Sequence, residues 1–409
     1  MLHSFKVENM YSIGKEQEIS FETNKLNDNS VAETKFGFIN KINCIIGNNG
    51  AGKTAVLKCI SFFIWLAEES FSGSKIEDPI PFEPHYLNKD KSTKIEMVFE
   101  KQNNLFKLEF ELNQDIIFYE KLSIKHPEEN KFKRVYSVDR RKNTMKTLYG
   151  EDLSPLNKKE RERVKSKNNS SLFSYLLTTG SLSHLGFKNG IFNIFYSNLT
   201  KGGRHEVPLL YDCFRLSEVI RKNKQFKDEM VTTIKSFDVG INDISEKSAG
   251  QFVLSDRNNN TIMDNDVISF IHGEGENQFD VPLPSESDGT IRSMSILFPI
   301  IDILKNGGLM VIDEIEMSKH PIIIKQLISS FEYSSKDSAN VQIIFSTHQP
   351  LLLDNRSKSQ IFLIEKEDGI NTDIYRLDDV EGVKSSENFG LKYLSGRYGA
   401  VPRKEVQIG

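Results

Sequence analysis

Between Gly47 and Thr54 the chain reads Gly-Asn-Asn-Gly-Ala-Gly-Lys-Thr, and no other stretch limits its fold as tightly. The spacing is G-x-x-x-x-G-K-[ST], a loop whose glycines let successive backbone N–H groups turn inward around phosphate oxygens. Such a loop works only between a buried strand and a helix whose positive end faces the same anion. Both flanks are present. Lys41-Ile-Asn-Cys-Ile-Ile46 is β-branched and apolar, and the spacing after the loop predicts a helix over 53–69. Asn48, Asn49, Gly50, Ala51, Gly52, Lys53, Thr54 and Ala55 are therefore the candidate nucleotide-binding residues. Lys53 is expected to reach the β- and γ-phosphates, and the Thr54 hydroxyl to ligate Mg²⁺. ATP and Mg²⁺ are the cofactors this implies.

Three further elements lie downstream. Leu309-Met-Val-Ile-Asp313-Glu314 reads as a buried strand that ends in two acids at the carboxyl edge of a sheet, where ligands bind. Asp313 is placed in the Mg²⁺ shell and Glu314 as the residue that orients and polarises attacking water. Phe345-Ser-Thr-His348 puts a histidine just past the next apolar strand, where it can sense a γ-phosphate; the plain alternative is an incidental histidine. Ser285-Glu-Ser287-Asp-Gly289-Thr290 opens a predicted helix over 291–304. Ser287 and Gly289 then make either a second anion-binding helix end, completing a site held by another subunit, or simply a well-capped helix. Residues 318–321, just after the acids, can line the same interface.

The organisation supports a sheet drawn from both chain ends. Short strands at 4–8 and 18–22 precede the loop. Apolar strands at 308–313, 341–346 and 361–365 alternate with helical patterns such as 322–333, as in a mostly parallel sheet. The middle mixes amphipathic strands (94–100 and 105–112) with polar helices. The expected fold is an α/β P-loop ATPase core from residues 1–70 and 281–409, of ABC type, with an inserted α+β lobe over 71–280. With 409 residues the chain has length for two to three domains. Its 53 basic and 57 acidic side chains argue against a uniformly basic nucleic-acid binder. One stretch departs from that balance: between Lys121 and Lys167, 15 Lys and Arg face 7 Asp and Glu. Lys131, Lys133, Arg134, Arg140, Arg141 and Lys142 form its centre, either as a contact surface for an acidic protein or for nucleic acid, or as a solvated face. Cys44, Cys59 and Cys213 cannot build a disulfide framework, and none sits in a CxxC pair. The longest apolar stretch, 59–67, is too short to span a bilayer, and the first residues do not read as a signal peptide. A reduced, cytoplasmic protein without a membrane segment is expected.

The four elements in this order resemble the ABC-type ATPase fold of SMC and Rad50 proteins. Gly47 to Thr54 matches the Walker A motif, Leu309 to Glu314 Walker B with its catalytic glutamate, and His348 the switch histidine. Ser287-Asp-Gly289 resembles the core of the signature motif, with Glu286-Ser-Asp-Gly standing where that family has Leu-Ser-Gly-Gly. A closer resemblance is to the stand-alone ATPases of the RloA and AbiLi abortive-infection type, in the AAA15 group. It rests on Phe5-Lys-Val-Glu-Asn-Met-Tyr-Ser-Ile13, Pro81-Phe-Glu-Pro84, Glu314-Ile-Glu-Met-Ser-Lys-His-Pro321 and Tyr393-Leu-Ser-Gly-Arg-Tyr-Gly-Ala-Val-Pro402. AriA, the ATPase of the PARIS system, is a related sensor architecture. The resemblance implies a homodimer or higher homo-oligomer with shared sites. It also implies a role in bacterial phage defence, beside a separately encoded toxic effector of nuclease type. About 60 residues follow His348, too few for a fused nuclease domain, so the effector is expected on another chain. The alternative is a RecF- or Rad50-like DNA-repair ATPase, for which the basic stretch would hold phosphates. A transporter subunit fits less well, because the insert is about 200 residues long.

Overall fold

The computed structural model describes residues 1–24, 29–147, 157–188, 190–197, 199, 217–236, 240–246, 252–256, 259–263, 267–317, 321–334, 340–366 and 368–401. The chain divides into two compact units. One holds residues 1–205, 303–315 and 328–409; the other holds 206–302 and 316–327.

The first unit is built on a six-stranded sheet in the order Ile194–Ser197, Gly308–Ile312, Val341–Thr347, Ile42–Gly47, Ile361–Lys366, Thr372–Arg376. The first five strands are parallel and the last is an antiparallel edge. Every residue of Ile42–Gly47 and of Val341–Thr347 is buried, the expected state of parallel strands covered on both faces. Register is set by pairs such as Ile312 with Phe345, Thr347 with Ile46, and Ile364 with Gly47. These pairs bring the strand ends that carry Gly47, Asp313 and His348 to one edge.

Helix Lys53–Glu68 leaves the loop and is buried nearly all round, through Val56, Leu57, Ile60, Phe62, Phe63, Ile64 and Leu66. It needs two covers, and the second is a seven-stranded antiparallel sheet. The order is Thr144–Thr147, Lys133–Asp139, Ile117–Lys125, Asn104–Leu112, Thr93–Lys101, Leu2–Glu8, Gln17–Ser20. Phe63 bridges the layers, edge-on to Phe5 at 6.0 Å and to Phe110 at 5.4 Å between ring centroids. Removing such a fully buried ring costs about 3–5 kcal/mol. Gln102 and Asn103 join Thr93–Lys101 to Asn104–Leu112 with φ of 48° and 60°, the doubly left-handed two-residue turn that matches strand twist.

This sheet corrects the picture of an insert that starts at residue 71. Thr93–Lys101 pairs antiparallel with Leu2–Glu8, so the meander over 93–147 is part of the unit that carries the phosphate loop. Ile194–Ser197, also placed in the insert by sequence, is a parallel edge strand beside Gly308–Ile312. Conversely, 281–302 and 316–327, assigned by sequence to the core, cluster with the second unit. That unit contains helix Lys224–Ser236, the antiparallel strands Ile241–Ser245, Ser269–His272 and Phe279–Pro282, the hairpin Phe252–Asp256 with Asn259–Met263, and the start of helix Asp288–Asn306.

Among the described residues no helix is long and apolar enough to cross a membrane. Cys44 and Cys59 are both buried, and burial pushes the Cys59 thiol up, away from reactivity. Cys213 lies outside the described residues.

Candidate nucleotide-binding site

The loop 47–54 leaves its strand at a position that only glycine can fill. A Cβ on Gly47 would stand 2.1 Å from the carbonyl oxygen of Ile364 on the neighbouring strand. Gly50 and Gly52 take φ of 74° and 114°, in the left-handed half of backbone space. Gly52 is the N-cap of helix Lys53–Glu68, whose first-turn N–H groups point back into the loop. Lys53 is 6% exposed, and its Nζ donates to the carbonyls of Gly47 at 2.8 Å and Asn48 at 3.0 Å. The ammonium is thus held across the mouth of the loop, within reach of any anion there.

Thr54 and Asp313 are 259 positions apart, yet the Thr54 Oγ1 donates to Asp313 Oδ2 at 2.7 Å. A hydroxyl and a carboxylate oxygen at that separation are hard donors suited to one Mg²⁺ ion, which takes few protein ligands and keeps waters and phosphate oxygens. Among the described residues no group of three or more His, Cys, Asp or Glu forms a dedicated metal cage. The donor set therefore fits a nucleotide-linked Mg²⁺ ion, with phosphate oxygens and water filling the remaining positions.

The other Asp313 oxygen accepts from Ser346 Oγ, which is fully buried. The same Oγ accepts from Glu314 N at 2.8 Å, and the Ser346 carbonyl accepts from Ile315 N at 3.1 Å. Three hydrogen bonds thus pin the turn after Gly308–Ile312 to the neighbouring strand. Glu314 itself sits at φ 46°, a left-handed conformation rare for a side chain of this size and costing about 1–3 kcal/mol. Its carboxylate Oε1 lies 3.9 Å from His348 Nε2. Both side chains are substantially exposed.

Of the expected site residues, Gly47 to Ala55, Asp313, Glu314 and His348 are gathered at one sheet edge in the first unit. Ser287 and Gly289 belong to the second unit. There Ser287 caps helix Asp288–Asn306, its Oγ accepting from Thr290 N at 3.1 Å, and the Gly289 carbonyl accepts from Ser293 Oγ at 2.7 Å. Glu286, just before, is tied to His272 at 2.6 Å. Of the stretch after the acids, residues 318–320 lie outside the described residues, and Pro321 starts helix Pro321–Glu332 at the position proline favours.

Sequence reasoning missed Ser346. It stands two positions before His348 at the end of an apolar strand, and a polar residue there was the available signal. The basic stretch is largely engaged within the first unit. Arg141 makes a two-pronged pair with Glu111 at 2.6 and 3.1 Å and lies over the Phe118 ring. Arg140 donates to the carbonyls of Ile117 and Ser170, Lys133 pairs with Glu129, and Lys142 is 3.7 Å from Asp139.

A family model described as "AAA domain, putative AbiEii toxin, Type IV TA system" matches residues 42–354, about three quarters of the chain. The chain belongs to this family. The match starts at the strand that feeds the phosphate loop and ends just past His348, so it encloses every element of the site. It makes the protein a member of an AAA/P-loop ATPase family of abortive-infection type. A comparison with curated proteins finds no match.

Proposed function

We propose that this AAA-domain protein hydrolyses ATP with water, as the sensor or regulatory ATPase of a bacterial anti-phage system. The observation that carries the catalytic part is the 2.7 Å contact between Thr54 and Asp313. Two residues singled out for the same ion from separate motifs meet as ligands of one ion must. Bound Mg²⁺ would supply charge neutralisation across the β- and γ-phosphates. The chain's own groups do the rest. Loop N–H groups cradle the phosphates, and Lys53 exchanges its carbonyl partners for phosphate oxygens. Glu314 accepts a proton from, or orients, the attacking water. His348, within 4 Å of that carboxylate, can report the γ-phosphate to the strand Val341–Thr347.

Glu314→Gln should keep ATP affinity within about threefold and lower phosphate release by at least about a hundredfold, the usual scale for a lost general base. Lys53→Ala should weaken binding and turnover together, because the ammonium contacts ground-state phosphates. Nucleotide titration and phosphate release measured on both variants test this. Undiminished phosphate release in the glutamine variant removes Glu314 from the role.

An ABC-type arrangement, in which Ser287 and Gly289 of one copy complete the site of another, is the assembly we propose. It is supported by their helix-end position after a strand meander. The family's description supports a place in an abortive-infection, toxin–antitoxin setting. Within that setting the proposed role is control of a separately encoded toxic effector of nuclease type. Native-level expression followed by mass spectrometry of co-purifying chains tests it. An effector recovered with the Glu314→Gln protein and released by ATP in the wild type supports the reading; repeated recovery of this chain alone argues against it.

A further inference from the structure

A phosphate loop has two jobs for its backbone. Its N–H groups must face the anion, and its carbonyls must face away and find donors elsewhere. Ala51 is 2% exposed, so its carbonyl has no ready access to water, and the donor it finds is Thr372 Oγ1 at 2.8 Å. Thr372 is itself 2% exposed and opens the antiparallel edge strand Thr372–Arg376, more than 300 positions from the loop. Its hydroxyl also lies 2.8 Å from Ser12 Oγ. A threonine hydroxyl has one proton, and here that proton goes to Ala51. Ser12 must therefore donate to Thr372, giving a relay from Ser12 to Thr372 to the Ala51 carbonyl. The two segments are also joined through backbone, Thr372 N donating to the Ser12 carbonyl at 2.8 Å.

The relay packs directly under the residue that turns the loop into the helix. A Cβ on Gly52, which sits at φ 114°, would come 2.2 Å from Thr372 Oγ1 and 2.9 Å from Ser12 Oγ. The hydroxyls thus fill the space that the missing side chain leaves, and they fix both the direction of the Ala51 carbonyl and the strained turn beside it.

We infer that Thr372, oriented by Ser12, is a positioning residue for nucleotide binding. It holds the peptide that follows Ala51 so that its N–H faces the phosphates and its carbonyl does not. The inference rests on the reading of 47–54 as an ATP site and adds to it a residue that no motif contains. Thr372 touches no nucleotide atom; it acts through the loop.

The test is ATP affinity and turnover of the full chain with Thr372→Val, Thr372→Ser and Ser12→Ala, with Lys53→Ala as reference. Thr372→Val keeps the shape and removes the donor, so the Kd for ATP should rise about tenfold, the scale of one buried carbonyl left without its donor. The kcat at saturating ATP should change less than about threefold, since no transition-state contact is lost. Thr372→Ser restores the hydroxyl and should bring Kd back to within about threefold of wild type. A tenfold weakening unrelieved by serine assigns the effect to packing and overturns the inference, as does wild-type affinity in the valine variant. If the valine variant fails to fold, Ser12→Ala carries the test: it leaves Thr372 in place, and an unchanged Kd overturns the relay. The ATP-site reading fails separately, if wild type binds no ATP or Lys53→Ala binds it equally well.

Discussion

Ser346 shows how much a single side chain decides at this site. It is fully buried, donates to Asp313, accepts from Glu314 N, and so links the residue proposed to hold Mg²⁺ to the residue proposed to direct water. Ser346→Ala leaves both partners without their bonds, at about 1–3 kcal/mol. The turn at Glu314, already at φ 46°, then loses what holds it there. The expected outcome is a lower melting temperature together with a fall in phosphate release of at least about tenfold, while ATP affinity falls less. A variant with full turnover would show that the turn keeps its conformation through the Ile315 contact alone.

Two elements of the antiparallel sheet carry predictions of their own. Helix Leu172–Thr178 starts on Glu120, which is fully buried on the strand Ile117–Lys125. Its carboxylate accepts from Leu172 N at 2.7 Å, Phe173 N at 2.8 Å and Tyr136 Oη at 2.7 Å, while burial pushes it above the usual carboxylate range. Glu120→Ala orphans three donors at once and should cost about 3–5 kcal/mol, read as a lower urea midpoint. At the solvent face of the same sheet, the Arg141 guanidinium, bonded to Glu111, holds that carboxyl below its ordinary value. A carboxyl whose folded pKa is depressed stabilises the protein above its unfolded value near 4.5, and that contribution is lost as pH falls through the folded value. Arg141→Ala should therefore destabilise at pH 7, by under about 1 kcal/mol given the exposure of the pair, and less at lower pH. Equal destabilisation at pH 7 and pH 3 in urea titrations would remove the ion pair as the cause.

At the scale of the molecule, the proposed site is distributed over the chain and, under the ABC-type reading, over copies of it. Hydrolysis should then rise faster than linearly with protein concentration at the dilute end. Mixing Lys53→Ala with Ser287→Arg subunits should restore part of the activity, because one hybrid site carries an intact loop and an intact Ser287. No recovery after full subunit exchange would place the complete site within one chain. The same scale governs how the basic stretch is tested. Arg140 and Arg141 are tied into the sheet, so charge reversal there would disturb the fold as well as any surface. Exposed Lys131 and Lys142 are the better probes for an acidic protein or a nucleic acid.

The sequence determined the local chemistry and the elements that carry it. The loop at 47–54, the helix after it, the strand that ends in Asp313 and Glu314, and the strand before His348 were all legible. Each depends on short-range rules: glycine where the backbone must turn, β-branched runs where strands are buried on both faces, acids where a strand meets solvent. Tertiary structure decided which of these elements share a unit. Leu2–Glu8 pairs with Thr93–Lys101, and Ile194–Ser197 with Gly308–Ile312, across separations that no periodicity encodes, because a strand's pattern shows that it is half-buried and not which partner covers it. The roles of Ser346 and Thr372 were hidden for the same reason. A lone serine or threonine carries no pattern, and its meaning arises only when folding sets its hydroxyl between groups from distant segments that water can no longer reach.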